Sequence, residues 1–388
     1  MKREDVKRED VKRGDESSRF TPHVSRLLKD VSRSFYLTLR VLPARVRVPI
    51  GLAYLLARTT DTIADTELVA PEQRLEALRA LRERIQGRRE VPLDFGALAR
   101  QQGARAEALL LENCEASLAL LRNLPSADAQ LVREVLDTIT SGQELDLRRF
   151  AGASARALVA LRTDDELDDY TYRVAGCVGE FWTKMCRANL FPRAPVDDAF
   201  LLANGVRFGK GLQLVNILRD VAADLRQGRC YLPAERLAEA SLKPEDLLQP
   251  ANEPRLRPLY HEYLDRAEAH LLAGWAYTNA LPRRCVRVRL ACAWPILIGR
   301  ETLNRLRAGN ALDPAQRIKV SRREVRRLML RSVLLYPWPR AWEKMVPAGK
   351  AVASPAVLTY KGPHADFKIL PGRLRGGVLR NPPPASCG

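Results

Sequence analysis

The chain is poor in the residues that most often carry nucleophilic or zinc chemistry. Its four His, at 23, 261, 270 and 364, all stand apart from the acidic motifs described below, which argues against a His-based nucleophile or general base. Its seven Cys, at 114, 177, 186, 230, 285, 292 and 387, form no Cys-x-x-Cys pair and no Cys/His cluster. That odd, scattered set argues against a zinc site or disulfide framework and fits reduced thiols in the cytoplasm. No glycine-rich phosphate loop is present, and strand-like alternation is scarce, so neither a P-loop nor a dinucleotide-binding α/β fold is expected. No apolar run approaches the eighteen or so residues that span a bilayer. Leu290 to Gly299 is uncharged but short, and Arg289 and Arg300 flank it. Residues 1 to 16 are charged and contain no apolar core of a secretion signal.

What the chain does have is helical periodicity. Apolar residues recur at spacings of three and four in Leu75 to Ile85, Ala104 to Leu121, Ala129 to Thr140 and Asp164 to Cys186. The same pattern runs through Asp197 to Asp224, Leu256 to Ala280, Val286 to Leu306 and Ser321 to Leu335. Prolines such as Pro125, Pro192, Pro195, Pro233, Pro282 and Pro314 punctuate the intervals. The expectation is a single all-α domain over residues 25–345. Before it stands an extension, 1–24, whose Lys-Arg-Glu-Asp-Val repeat balances six basic against six acidic residues through Glu16. After it comes a basic, Pro/Gly-rich tail, 346–388.

Two acidic motifs interrupt otherwise apolar helices: Asp61-Thr-Ile-Ala-Asp65 and Asp220-Val-Ala-Ala-Asp224. Carboxylates at i and i+4 share a helix face, and the polar stripes extend through Tyr54, Arg58, Asp61 and Asp65 and through Gln213, Asn216, Asp220 and Asp224. Taken singly, either motif could be a solvated patch or a helix salt bridge, such as Arg58 with Asp61. Two of them inside buried-looking helices need a common partner, because unpaired carboxylates in an apolar interior are costly. Hard oxygen donors favour Mg²⁺, which takes its remaining ligands from water and a substrate's phosphates.

At these residues the sequence resembles the squalene/phytoene synthase family of head-to-head prenyltransferases, most closely a bacterial squalene synthase. The resemblance covers roughly residues 25 to 345. It rests on Ser32-Arg33-Ser34-Phe35, on Tyr54 to Asp65, on Tyr170-Thr-Tyr172-Arg173-Val-Ala-Gly176-Cys-Val-Gly179, and on Asn216-Ile-Leu-Arg219-Asp220 to Asp224 with its continuation Gly228-Arg229-Cys-Tyr231-Leu-Pro233. It implies an isoprenoid synthase fold whose central cavity is flanked by two aspartate-rich helices. Asp61, Asp65, Asn216, Asp220 and Asp224 would then face Mg²⁺. Arg58, Arg219 and Arg229 would contact diphosphate, with Ser32, Arg33, Ser34 and Phe35 closing over it. Tyr54, Gln213, Asn216 and Arg173 would complete the substrate site, and Tyr172, Arg58 and Arg219 would act in catalysis. Gly176 and Gly179, inside a helical pattern, leave two readings open: close helix packing, or room for a prenyl chain.

The implied reaction joins two farnesyl diphosphates through a cyclopropylcarbinyl diphosphate to squalene, with phytoene or dehydrosqualene as alternatives. NADPH is needed only for squalene, and Arg317, Lys319 and Arg322 resemble the basic segment that would hold it. Residues 317 to 388 carry fifteen Lys or Arg against three Asp or Glu. With Tyr336, Trp338 and Trp342 interleaved, that region suits an anionic membrane surface better than nucleic acid. A monomer in the cytoplasm, peripheral to the membrane, is the expected form. A non-catalytic helical scaffold with a nucleic-acid-binding tail is the alternative of another class.

Overall fold

The computed structural model describes residues 22–32, 35–66, 68–316 and 318–347. Arg33, Ser34 and Arg317, most of the N-terminal extension and nearly all of the basic tail lie outside them. The described chain is almost wholly helical. Its only paired strands are two-residue segments, Val159–Ala160 and Arg229–Cys230, which run parallel. Helices stand wherever the apolar period predicts them, with two refinements. Ala104 to Leu121 divides at Asn113 into Arg105–Glu112 and Cys114–Arg122, and Asp164 to Cys186 continues to Leu190 through a π-helical turn at Tyr172–Gly176.

The first acidic helix, Ala44–Ala64, follows Pro43 and buries Leu52, Leu55, Leu56 and Ile63 completely. It packs against Ser126–Arg149. Arg74, from the helix Pro71–Ile85, donates to the Ala64 carbonyl at 2.8 Å and so satisfies one of the open acceptors at its C-terminus. The second acidic helix, Asp198–Arg226, starts where the Asp197 carboxylate accepts the Phe200 amide at 2.9 Å. It packs against Cys177–Leu190, Glu253–Ala280 and Val286–Ala308. Two apolar cores result, one around each acidic helix.

The glycines of the Tyr170–Gly179 motif serve close packing. A Cβ on Gly179 would lie 1.9 Å from the Gly205 carbonyl oxygen, and one on Gly209 would lie 2.1 Å from that of Ala175. The second acidic helix is thereby pressed backbone to backbone onto the π-turn. Gly228, at φ +85°, ends the turn after that helix and aims the chain back along Val159–Ala160. No described helix is long and apolar enough to cross a membrane.

Candidate active site

A cavity of about 780 Å³ opens between the acidic helices and the C-terminal half of Ser126–Arg149. Asp61 and Asp65 line it from the first acidic helix, Gln213 and Arg226 from the second, and Arg229 and Tyr231 from the returning strand. Asp224 lines a small recess beside it, together with Arg229 and Tyr231. The cavity and its recess thus bring Asp61, Asp65, Gln213, Arg229 and Asp224 together.

Two residues that sequence reasoning missed, together with Tyr170 of the resemblance motif, complete this wall. Gln143 and Asp146 reach the cavity from Ser126–Arg149, and Tyr170 from the end of Asp164–Thr171. The Gln143 amide donates to Asp61. Tyr231 donates its hydroxyl to Asp146 Oδ2 at 3.0 Å, and its ring stacks on Tyr170 with centroids 4.8 Å apart. Asp146 Oδ1 is buried with no hydrogen-bond partner among the described residues.

The electrostatics are those of a crowded acidic pocket. Burial and the neighbouring Asp65 push the Asp61 carboxyl up to about 6 against the opposing pull of Arg58 and Gln143. Burial and Asp220 push Asp224 up to about 7. Asp146 is raised to about 6 by burial, which outweighs the charge of Arg229 and the bond from Tyr231. Asp61 keeps a side chain 45% exposed toward the open cavity, so water reaching it there tempers that upward push.

Every acidic donor here is a hard oxygen. No three acidic, His or Cys groups among the described residues converge closely enough to hold a cation alone. The set fits a Mg²⁺ that takes part of its shell from water and substrate phosphate, and it does not fit a site closed by protein alone.

The remaining predicted residues lie outside the cavity wall. Arg58 is drawn to Glu107 at 2.6 Å and only loosely to Asp61 at 3.8 Å. Arg219 forks onto Asp220, with its Nε 2.9 Å from Oδ1, and Asn216 is exposed beside Gln213. Tyr54 meets the Val31 carbonyl at 3.3 Å and the Phe35 ring at 4.9 Å, while the Ser32 hydroxyl folds back onto the Leu28 carbonyl. Tyr172 and Arg173, expected at the substrate, stand at the start of the π-turn and are not among the residues lining the cavity. The Tyr172 hydroxyl meets Glu180 at 3.2 Å. Arg173 binds Asp169 at 2.8 Å and Ser141 at 3.0 Å. Lys319 offers its carbonyl to Arg305, and Arg322 is exposed on the last long helix, so neither reaches the cavity.

The squalene/phytoene synthase family model matches residues 28–324. The bifunctional lycopene cyclase/phytoene synthase of Gibberella fujikuroi is 32% identical over 62% of the chain, which spans only 40% of that relative. The phytoene synthase of Cereibacter sphaeroides is 30% identical over 67% of the chain and 64% of its own length. The presqualene diphosphate synthase of Zymomonas mobilis is 30% identical over 63% of the chain and 70% of its own. Among solved structures, a ligand complex of TcSQS superposes with a TM-score of 0.69 at 21% identity, covering 86% of this chain and 89% of that one.

Proposed function

Because the chain belongs to the squalene/phytoene synthase family, we propose that it is a prenyltransferase that condenses two prenyl diphosphates head to head. The observation that carries this reading is the convergence of Asp61, Asp65 and Asp224 with Arg229 around one cavity and its recess. Asp61 and Asp65 from one helix, and Asp220, Asp224 and Asn216 from the other, would hold Mg²⁺ jointly with the substrate's diphosphate. When bound, Mg²⁺ supplies Lewis-acid neutralisation of the charge that grows on the departing diphosphate.

The chain's own residues do the rest. Arg229, with Arg226 beside it on the wall, donates to diphosphate oxygens in the forked geometry that guanidinium favours. Loss of diphosphate leaves an allylic cation. The double bond of the second substrate attacks it, and loss of a proton gives a cyclopropylcarbinyl diphosphate. The stacked rings of Tyr170 and Tyr231 present an aromatic wall to the migrating positive charge. Loss of the second diphosphate and opening of the cyclopropane then rearrange the existing linkage into a C1–C1′ bond. The resulting cation is discharged by hydride to squalene, or by proton loss to a phytoene-type product.

Of these outcomes the proton-loss reading is the better supported. The relatives include proteins named phytoene synthase, and the basic segment expected to hold NADPH has Lys319 and Arg322 away from the cavity. Squalene from farnesyl diphosphate remains the second reading, on the resemblance of that segment. A cytoplasmic monomer, with its catalytic domain over 25–345, belongs to the same proposal.

The deciding experiment incubates purified protein and Mg²⁺ with farnesyl or geranylgeranyl diphosphate, with and without NADPH, and identifies the hydrocarbon. Asp61→Asn and Asp220→Asn should abolish turnover with unchanged circular dichroism. Absence of diphosphate release from either substrate, or near-normal activity in both variants, would refute the reading.

A further inference from the structure

The last long helix, Arg322–Leu335, lays Leu328 and Met329 against a core yet leaves a second set of apolar side chains outside. Its start is fixed by a capping box in which Ser321 and Glu324 bond each other's backbone. Its fully buried side chain is Ser332, whose hydroxyl accepts from Trp294 Nε1 at 3.0 Å and donates to the Met329 carbonyl at 2.6 Å. Leu330, Val333 and Leu334 instead stand 60%, 46% and 59% exposed, and Trp338 just beyond is 62% exposed. These are four of the ten exposed large apolar side chains among the described residues, gathered within nine positions. The turn that carries Trp338 is pinned, since Tyr336 donates to the Arg283 carbonyl at 2.5 Å and Arg283 donates to that of Pro337 at 3.4 Å. A concentrated and fixed apolar patch on a water-facing surface marks a docking face.

The charge around it identifies the partner. Arg323, Arg326, Arg327 and Arg331 are exposed on the same helix, and none has an acidic partner among the described residues. Seven Lys or Arg stand between Ser321 and Pro347 against two acids, and Glu324 is already held by Arg305 at 2.5 Å. The chain's own residues 348–388 hold six Lys or Arg and one Asp, so they would bring like charge. A second copy docking through the same face would set arginines against arginines. The complement is an apolar layer beneath a negative surface. We propose that Leu330, Val333, Leu334 and Trp338 insert into the interface of an anionic phospholipid bilayer while the arginines contact its headgroups. The cavity chemistry is not a premise of this inference.

The test is co-sedimentation of the full chain with vesicles of phosphatidylcholine, with and without phosphatidylglycerol. Wild type should pellet with the anionic vesicles and lose binding as salt rises. Leu330→Ser/Leu334→Ser/Trp338→Ser and, separately, Arg323→Glu/Arg326→Glu/Arg327→Glu/Arg331→Glu should each weaken partitioning by about tenfold or more. Both should keep the circular dichroism and detergent-phase activity of wild type, which separates this inference from the proposed reaction. As a readout that needs no multiple variant, brominated lipid should quench wild-type tryptophan emission more than that of Trp338→Phe. Equal pelleting of wild type and both variants, equal binding to neutral and anionic vesicles, or a wild-type dimer that the serine substitutions split would overturn the proposal.

Discussion

Tyr231 reaches across 85 residues of sequence to hydrogen-bond Asp146 at 3.0 Å, and this one contact ties the strand after the second acidic helix to the helix behind the first. Asp146 thereby becomes a further carboxylate of the cavity, charge-coupled to Asp65 and to Asp224. Arg229 lies among these acids. Asp146→Asn keeps the volume and removes the charge, so it should lower kcat on the order of a hundredfold while the protein stays folded. Tyr231→Phe, which leaves the carboxylate but not its donor, should cost less. Steady-state assays of both variants decide the point, and an Asp146→Asn rate within about twofold of wild type would reduce the residue to packing.

Tyr170 and Tyr172 make a paired prediction. Tyr170 lines the cavity, whereas Tyr172 is engaged with Glu180 outside it. Single-turnover formation of the cyclopropylcarbinyl intermediate should slow by about tenfold or more in Tyr170→Phe. In Tyr172→Phe it should stay within about threefold of wild type. The opposite ranking would restore the sequence-based assignment of Tyr172 to catalysis.

These residues also show where sequence pattern stops. Asp61 and Asp65 are legible because a four-residue step inside an apolar helix is a one-dimensional signal, and the helices themselves follow from period and proline. Tyr170 and Tyr172 lie two positions apart, about 200° around a helix. Only one can face a given cavity, and periodicity alone does not say which. Asp146 pairs in its own helix only with Gln143 three residues before it, too short a pattern to stand out; it also acts through Tyr231, which the Gly228 turn delivers from far along the chain. The family resemblance implies Arg58 and Arg219 as diphosphate ligands, and the acids that hold them here are Glu107 and Asp220. The helix Arg322–Leu335 mixes five arginines with leucines, and only the three-dimensional packing reveals that Ser332 is inside and Leu330 and Leu334 outside.

The backbone contact beneath the π-turn gives a stability prediction. Gly209→Ala would put a methyl group 2.1 Å from the Ala175 carbonyl oxygen, which requires the second acidic helix to shift. The expected cost is about 1–3 kcal/mol, typical of overpacking a close interface. Gly103→Ala, where nothing lies within 4 Å, serves as the control and should be neutral or better. Urea melts of the two variants measure the difference, and equal midpoints would show that the helix pair has room to spare.

The raised carboxyls predict how pH and Mg²⁺ act together. Asp61, Asp146 and Asp224 titrate at about 6, about 6 and about 7 when folded, above the roughly 4 of an unfolded Asp. Each binds its proton more tightly folded than unfolded, so its contribution favours the folded state at acid pH. That contribution is lost as pH rises through the folded value. In chelator, Asp224→Asn should therefore gain Tm relative to wild type at about pH 8, keep only a minor part of that advantage at about pH 5, and lose it below roughly pH 4, where Asp224 is protonated unfolded as well as folded. Mg²⁺ supplied with inorganic diphosphate replaces the missing protons as counter-charge, so it should raise the wild-type Tm more at pH 8 than at pH 5. Thermal melts of both proteins across this range provide the check. A Tm difference between the variant and wild type that does not change with pH would mean that Asp224 is not held against its charge.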